Sequence, residues 1–111
     1  MRAPLRAAAL AAAALALAAC GGGRPHPPER HTVELRNFGF SPASLAVRPG
    51  DEVVFVNRDA VPHTATADDR AWDTGSIAAG DSAVVKVTGG GTYKCTFHPT
   101  MTGTLAASGT K

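Results

Sequence analysis

The sequence predicts an all-β protein, a sandwich of seven or eight short strands that follows a signal segment and a flexible linker. Two observations predict this class. Short runs alternate apolar with polar or charged residues at a period of two, and turns containing Gly or Pro separate those runs at short intervals. The 111 residues are 44% hydrophobic and 18% charged, which is sufficient for one folded domain.

The first 31 residues carry signals for export and tethering. A basic start precedes an uninterrupted Ala/Leu run over residues 7–19. This length is typical of a signal-peptide core and is shorter than the roughly 20 residues of a membrane-spanning helix. The run ends in Leu17-Ala18-Ala19-Cys20, which resembles a bacterial lipobox. Residues 1–19 are therefore predicted to be a lipoprotein signal peptide, although an ordinary signal peptide followed by a chance Cys20 is the alternative.

Lipidation of Cys20 predicts an exported protein anchored to the outer face of a bacterial membrane, on its periplasmic or cell-surface side. Residues 20–31 are rich in Gly and Pro and predict a linker, with the folded domain at 32–111. The two linker histidines, His26 and His31, are expected to be solvated. A disulfide between Cys20 and Cys95 is disfavoured, because Cys20 is the predicted lipidation site and Cys95 lies in the candidate metal-binding segment described below.

The charge balance argues against nucleic-acid binding. Without the signal peptide, nine Lys/Arg residues balance nine Asp/Glu residues, and such a neutral chain lacks the basic surface that nucleic acids require. We expect a monomer whose partners are other proteins and a membrane.

The first half of the domain contains alternating segments. In the stretch 32–36, Val33 and Leu35 are predicted to face the core, and residues 45–48 alternate again. The Pro49-Gly50-Asp51 sequence predicts a turn that closes a hairpin onto residues 53–57. That last run is apolar throughout, which predicts a strand buried on both sides.

Further strands are predicted in the second half at residues 64–67, 83–87, 93–95 and 103–106. Tyr93 and Cys95 are expected to face inward, and Trp72 and Ile77 to contribute packing. The glycine run 89–91 lacks the Lys-Ser/Thr of a phosphate-binding loop, so a turn between strands is predicted there.

Three potential metal ligands lie within seven residues near the C-terminus: Cys95, His98 and Met101. A thiolate, an imidazole and a thioether together suit copper better than any hard cation. His63 is the candidate fourth ligand, and the preceding Pro62 restricts the backbone that presents it. Two His, one Cys and a weak axial Met form the ligand set of a blue-copper site, so one type 1 copper ion is predicted. Structural zinc is disfavoured because it does not use a Met ligand.

The segments Asn57–His63 and Tyr93–Gly103 resemble the cupredoxins, in particular the amicyanin and plastocyanin-like group, and the similarity runs from about Val33 to the end of the chain. The Cys-x2-His-x2-Met loop has the short length found in amicyanins. The resemblance implies a cupredoxin-type Greek-key sandwich that passes single electrons between redox proteins by Cu(I)/Cu(II) cycling.

The resemblance also implies the surroundings of the metal. The residues expected around the ligands are Pro62, Thr64 and Thr96. The backbone N–H of Thr64 should donate to the Cys95 sulfur, and the edge of the His98 ring should emerge through an apolar patch to which Pro62, Phe97 and Pro99 contribute. Two positions depart from the amicyanin pattern: Thr64 replaces the usual Asn, and Thr100 stands where an aromatic residue is common.

An electron carrier without enzymatic activity is the predicted function, and copper storage or delivery is the alternative. Delivery sites often expose several Met or His ligands, whereas this chain has one methionine besides Met1. Multicopper oxidases need additional paired histidines. The acidic group Asp68, Asp69 and Asp73 has no accompanying nucleophile, which disfavours a hydrolase.

Overall fold

The computed structural model describes residues 27–108, which form eight strands and no helix. The strands are β1 Arg30–Arg36, β2 Gly39–Ser41, β3 Ser44–Val47, β4 Glu52–Asn57, β5 Thr66–Ala67, β6 Ser82–Lys86, β7 Gly91–Cys95 and β8 His98–Ala107. Within this part of the chain, no helix is long and apolar enough to cross a membrane. The predicted signal peptide, Cys20 and most of the linker lie outside the described residues.

The strands form two four-stranded sheets. The first has the order β2-β1-β4-β6 and the second the order β3-β8-β7-β5. The pairs β1–β4 and β3–β8 are parallel, and the other neighbours are antiparallel. The predicted all-β sandwich is therefore confirmed, with eight strands in two mixed sheets.

The predicted hairpin after β3 was wrong, although its turn is present. Gly50 has a φ of 95°, and the Asp51 N–H donates to the Arg48 carbonyl at 3.0 Å. However, β3 pairs with β8 of the second sheet, whereas β4 pairs with β1 and β6 of the first. The turn thus carries the chain between sheets. Local turn chemistry indicates a reversal of direction but does not determine which strands pair.

Two other strands differ from their predicted form. In β4, Val53 and Phe55 are fully buried while Val54 and Val56 are only half-buried, so this strand has one core face instead of two. The outer face of its sheet has no second layer of strands within residues 27–108. The last strand begins at His98 instead of Gly103, which places part of the predicted ligand loop within a strand.

The core lies between the sheets and is built around Tyr93. Its ring centroid lies 4.6 Å from that of Phe40, 5.5 Å from Phe55 and 5.4 Å from Trp72. Ile77 is buried and Trp72 packs against the core, which confirms their predicted packing roles. Tyr93 and Cys95 are both fully buried, as their inward orientation required.

Hydrogen bonds to Asp51 hold the start of the N-terminal strand, at the end of the first sheet opposite to Asn57. Strand β1 begins at Arg30, two residues before the predicted start of the domain, and His31 is part of it. The His31 Nε2 lies 2.9 Å from Asp51 Oδ2. The prediction that His31 is a solvated linker residue was therefore wrong. Hydrogen bonds from the Glu29 N–H, from His31 and from the Arg48 N–H lower the pKa of Asp51 to about 2.

Candidate metal centre

The structure brings the predicted cysteine and both predicted histidines together. Cys95 ends β7, His98 begins β8, and His63 lies in the loop before β5, where it pairs with Ile77 in an isolated bridge. The Nδ1 atoms of His63 and His98 each lie 3.7 Å from the Cys95 sulfur. His63 and Cys95 are fully buried, whereas His98 is partly exposed.

This geometry fits a metal ion bound by one sulfur and two nitrogens. Metal–sulfur bonds of about 2.3 Å and metal–nitrogen bonds of about 2.0 Å, separated by roughly 120°, give a sulfur–nitrogen distance of about 3.7 Å. Both observed distances match that value without any movement of the side chains. One cysteine sulfur and two imidazole nitrogens are the donors that a type 1 copper site uses for its three strong bonds.

Met101, the predicted axial ligand, is a buried residue of β8. It lies on β8 three residues after His98, and its side chain is 3% exposed. The turn from β7 to β8 is short enough to pair Cys95 with His98, and the strand register shifts between Lys94 and Cys95. Three of the four predicted ligands therefore lie in one tight reversal of the chain.

Thr64 connects the His63 loop to the cysteine by both its backbone and its side chain. Its N–H lies 3.3 Å from the Cys95 sulfur, the hydrogen bond that the resemblance implies. Its hydroxyl accepts the Thr96 N–H at 2.9 Å and lies 3.1 Å from the Thr96 hydroxyl. A third threonine, Thr66, lies 3.1 Å from the same Thr64 oxygen. A hydroxyl thus links the two ligand-bearing segments at the position where amicyanins usually carry an amide.

Asp59 is a site residue that the sequence analysis missed. Its Oδ2 lies 2.8 Å from the Nε2 of His63, on the ring edge opposite to the one that faces Cys95. Burial opposes ionisation of Asp59, but hydrogen bonds from the Phe38 N–H, His63 and the Asn37 N–H outweigh it and lower the pKa of the carboxyl. Such carboxylate–histidine pairs orient metal ligands. The available signal was an acidic residue four positions before His63.

Apolar residues that precede or follow the two candidate histidines in the sequence are exposed. Phe97 is 50% exposed, and Pro62 and Pro99 are also exposed, in agreement with the predicted patch. Val61, which the sequence analysis did not assign, is 37% exposed. Thr100 is exposed and contributes a polar group to this surface.

Phe38 is the second site residue that was missed. This residue lies in the turn between β1 and β2, far from the ligands in sequence, and is 51% exposed. Its ring centroid lies 5.2 Å from that of His63 and 4.8 Å from that of His98, edge-on in both cases. Nothing in the local sequence indicated this contact, since it depends on how the first sheet packs.

Comparison with known proteins identifies the family of this chain. A family model described as a cupredoxin-like domain matches residues 7–107, so the chain belongs to the cupredoxin-like family. A purple cupredoxin from Nitrosopumilus maritimus superposes with a TM-score of 0.65 and 23% identity, over 70% of this chain and 99% of that one. A reduced tryptophan-to-tyrosine mutant of amicyanin gives a TM-score of 0.63 and 25% identity, over 69% and 80% of the two chains.

A copper-containing nitrite reductase from Thermus scotoductus gives a TM-score of 0.67 and 24% identity over 83% of this chain, but the match spans 25% of that protein. No curated protein sequence matches the chain. The resemblance to cupredoxins that the sequence indicated is thus confirmed. Membership of this family supports copper-binding electron transfer as the general function.

Proposed function

We propose that this protein is a membrane-tethered carrier of single electrons that binds one type 1 copper ion through His63, Cys95, His98 and Met101. One observation carries the proposal: two imidazole nitrogens lie at equal distances of 3.7 Å from a buried thiol. Copper supplies one-electron Cu(I)/Cu(II) chemistry at such a site. The donor and the acceptor are redox proteins that dock at the exposed side of the centre.

The protein's own residues account for the properties that an electron carrier needs. Cys95 binds as the thiolate, and the Thr64 N–H donates to its sulfur. Asp59 holds the ring of His63. Because these hydrogen bonds hold the two side chains in place, little rearrangement is needed when the charge of the site changes, and the barrier to electron transfer is small. The exposed edge of His98 provides the route to a partner.

Visible absorption and electron paramagnetic resonance spectra of the Cu(II)-loaded chain test the ligand set. An intense thiolate-to-copper band with a narrow copper hyperfine splitting is expected. Cys95→Ala should abolish the band, and Met101→Gln should retain it with a lower reduction potential. A colourless complex would refute the site, and an unchanged potential in Met101→Gln would remove Met101 from the ligand set.

Copper storage or delivery is the second candidate, and burial of the ligands argues against it. His63 and Cys95 are 0% exposed, so an acceptor has no direct access to two of the ligands. Transfer of Cu(I) to a competing chelator should therefore be slow compared with electron exchange. Complete transfer within the time of mixing would favour delivery.

We also propose that the chain has no enzymatic activity of its own. It has four histidines, of which two belong to the candidate centre and His31 is bonded to Asp51 at the opposite end of the sandwich. A catalytic copper ion in addition to the type 1 copper would need further histidine ligands. Nitrite reduction by the copper-loaded chain, measured with a small-molecule electron donor, should remain at the level of the metal-free chain.

The membrane anchor is proposed from the sequence of the first 20 residues. Cleavage before Cys20 and its lipidation would place the domain on the outer face of a bacterial membrane, in the periplasm or at the cell surface. Mass spectrometry of the mature protein should show a lipidated N-terminal Cys20, and Cys20→Ala should move the protein from the membrane fraction to the soluble fraction. An unmodified mature N-terminus would refute the anchor. We expect the detergent-solubilised chain to be a monomer.

A further inference from the structure

A bulky residue occupies a backbone conformation that favours glycine in the turn between β1 and β2. The register pairs Arg36 with Gly39, so Asn37 and Phe38 form a two-residue hairpin loop. Both have positive φ values, 53° and 58°. This is characteristic of a type I′ turn, in which Asn-Gly is the preferred pair. Asn tolerates the left-handed region, but Phe at this position costs free energy relative to Gly.

One carboxylate holds the strained turn and a metal ligand together. Asp59 accepts the Asn37 N–H at 2.7 Å through Oδ1 and the Phe38 N–H at 2.9 Å through Oδ2. The same Oδ2 lies 2.8 Å from the Nε2 of His63. The conformation of the turn is therefore coupled to the orientation of a predicted copper ligand.

The result of this conformation is the placement of the Phe38 ring against both histidines. The interplanar angles are 85° with His63 and 90° with His98, which is the favourable edge-to-face arrangement of aromatic rings. Phe38 is itself 51% exposed, whereas His63 is fully buried. A ring that contacts both imidazoles and has half of its surface in solvent lies between them and the solvent.

We propose that Phe38 is a positioning residue of the metal centre: its ring fixes the orientation of both imidazoles and restricts the access of water to the bound metal. Core packing does not explain the strain, because half of the side chain remains in solvent. Strained backbone is found preferentially where function requires it. The inference rests on the proposed function only in taking copper as the metal, since the ring contacts are present in the chain itself.

The test uses the full chain in detergent with three variants. Phe38→Gly removes the ring and suits the positive φ, Phe38→Tyr keeps the ring, and Asn37→Gly alters the same turn without touching the ring. Metal-free Phe38→Gly should unfold at a temperature no lower than that of the wild type. From the Cu(I)-loaded form, we expect it to lose copper to a chelator about tenfold faster, equivalent to ~1.4 kcal/mol of barrier. Phe38→Tyr and Asn37→Gly should release copper at rates close to the wild-type rate.

Nuclear magnetic resonance of the metal-free proteins gives a second readout. The ring current of Phe38 should displace the ring-proton resonances of His63 and His98, and this displacement should disappear in Phe38→Gly and persist in Asn37→Gly. Unchanged histidine resonances in Phe38→Gly, or a lower unfolding temperature with an unchanged rate of copper release, would overturn the proposal. If the wild type fails to form the thiolate-to-copper band, the proposed function is refuted, while the resonances still decide whether Phe38 positions the histidines.

Discussion

Replacing Thr64 by Val tests whether the threonine hydroxyl joins the two segments that carry the metal ligands. Valine has nearly the same shape and keeps the backbone N–H that donates to the Cys95 sulfur. What is lost is one buried oxygen, which accepts the Thr96 N–H at 2.9 Å and lies 3.1 Å from the hydroxyls of Thr66 and Thr96.

The structure sets the size of the expected effect. Thr66 retains a bond to Asp73 at 3.0 Å, so its hydroxyl is not left unpaired. The Thr96 N–H loses its partner. A buried donor left unsatisfied costs about 1–3 kcal/mol, and because Thr96 is an exposed residue we expect a loss at the lower end of this range, about 1 kcal/mol. For a domain of this size, that loss lowers the unfolding midpoint by roughly 4–8 °C.

Chemical and thermal unfolding of the metal-free chain measure the effect without contribution from copper. Thr64→Ser is the matched control, because it keeps the hydroxyl and removes only a methyl group. We expect Thr64→Val to be clearly less stable than Thr64→Ser. If Thr64→Val is as stable as the wild type, the hydroxyl link contributes nothing to stability and the argument is refuted.

Three further predictions concern stability. The Tyr93 hydroxyl is buried without a hydrogen-bond partner in the part of the chain described, and burial raises its pKa. In urea unfolding, Tyr93→Phe should therefore be as stable as the wild type or more stable by about 1 kcal/mol. A clear loss of stability would reveal a partner for the hydroxyl. Gly103→Ala should lower the free energy of unfolding by about 1–3 kcal/mol or more, because the new Cβ would lie 2.5 Å from Tyr93 Oη. Gly39→Ala is the control: its Cβ would lie 3.7 Å from the nearest atom, so it should cost much less stability. The pKa of Asp51 falls from 3.8 to about 2 on folding, so its contribution of about 2 kcal/mol is present above pH 4 and is lost as the pH falls towards 2. Asp51→Asn should lack this pH dependence, and parallel stability curves for the two proteins between pH 2 and 5 would contradict the assignment.

The part of the site that depends on short sequence distances was predictable. Cys95 and His98 are three residues apart, so a tight turn suffices to bring the thiol and the imidazole together, whatever the rest of the fold. The alternation of apolar and polar residues likewise identified the inward side chains Tyr93 and Cys95, because successive residues of a strand face opposite sides of the sheet. His63 was expected to lie beside this pair because a blue-copper site uses two histidines and one cysteine, and because the chain resembles the cupredoxins.

The remaining features depend on contacts between segments far apart in the chain. The parallel pairing of β3 with β8 turned an expected hairpin into a connection between sheets. The position of Phe38 over both histidines depends on the turn between β1 and β2 meeting a loop more than 20 residues later, where Asp59 accepts its N–H groups.

The sequence by itself therefore determined the fold class, the positions of most strands and the chemical identity of the candidate ligands, because periodicity, turn residues and donor atoms are local properties. Only the tertiary structure decided which strands pair, which carboxylate holds His63 and which aromatic ring covers the centre. Those choices arise when two sheets bury a common core, and the burial aligns residues whose separation in the sequence carries no periodic signal.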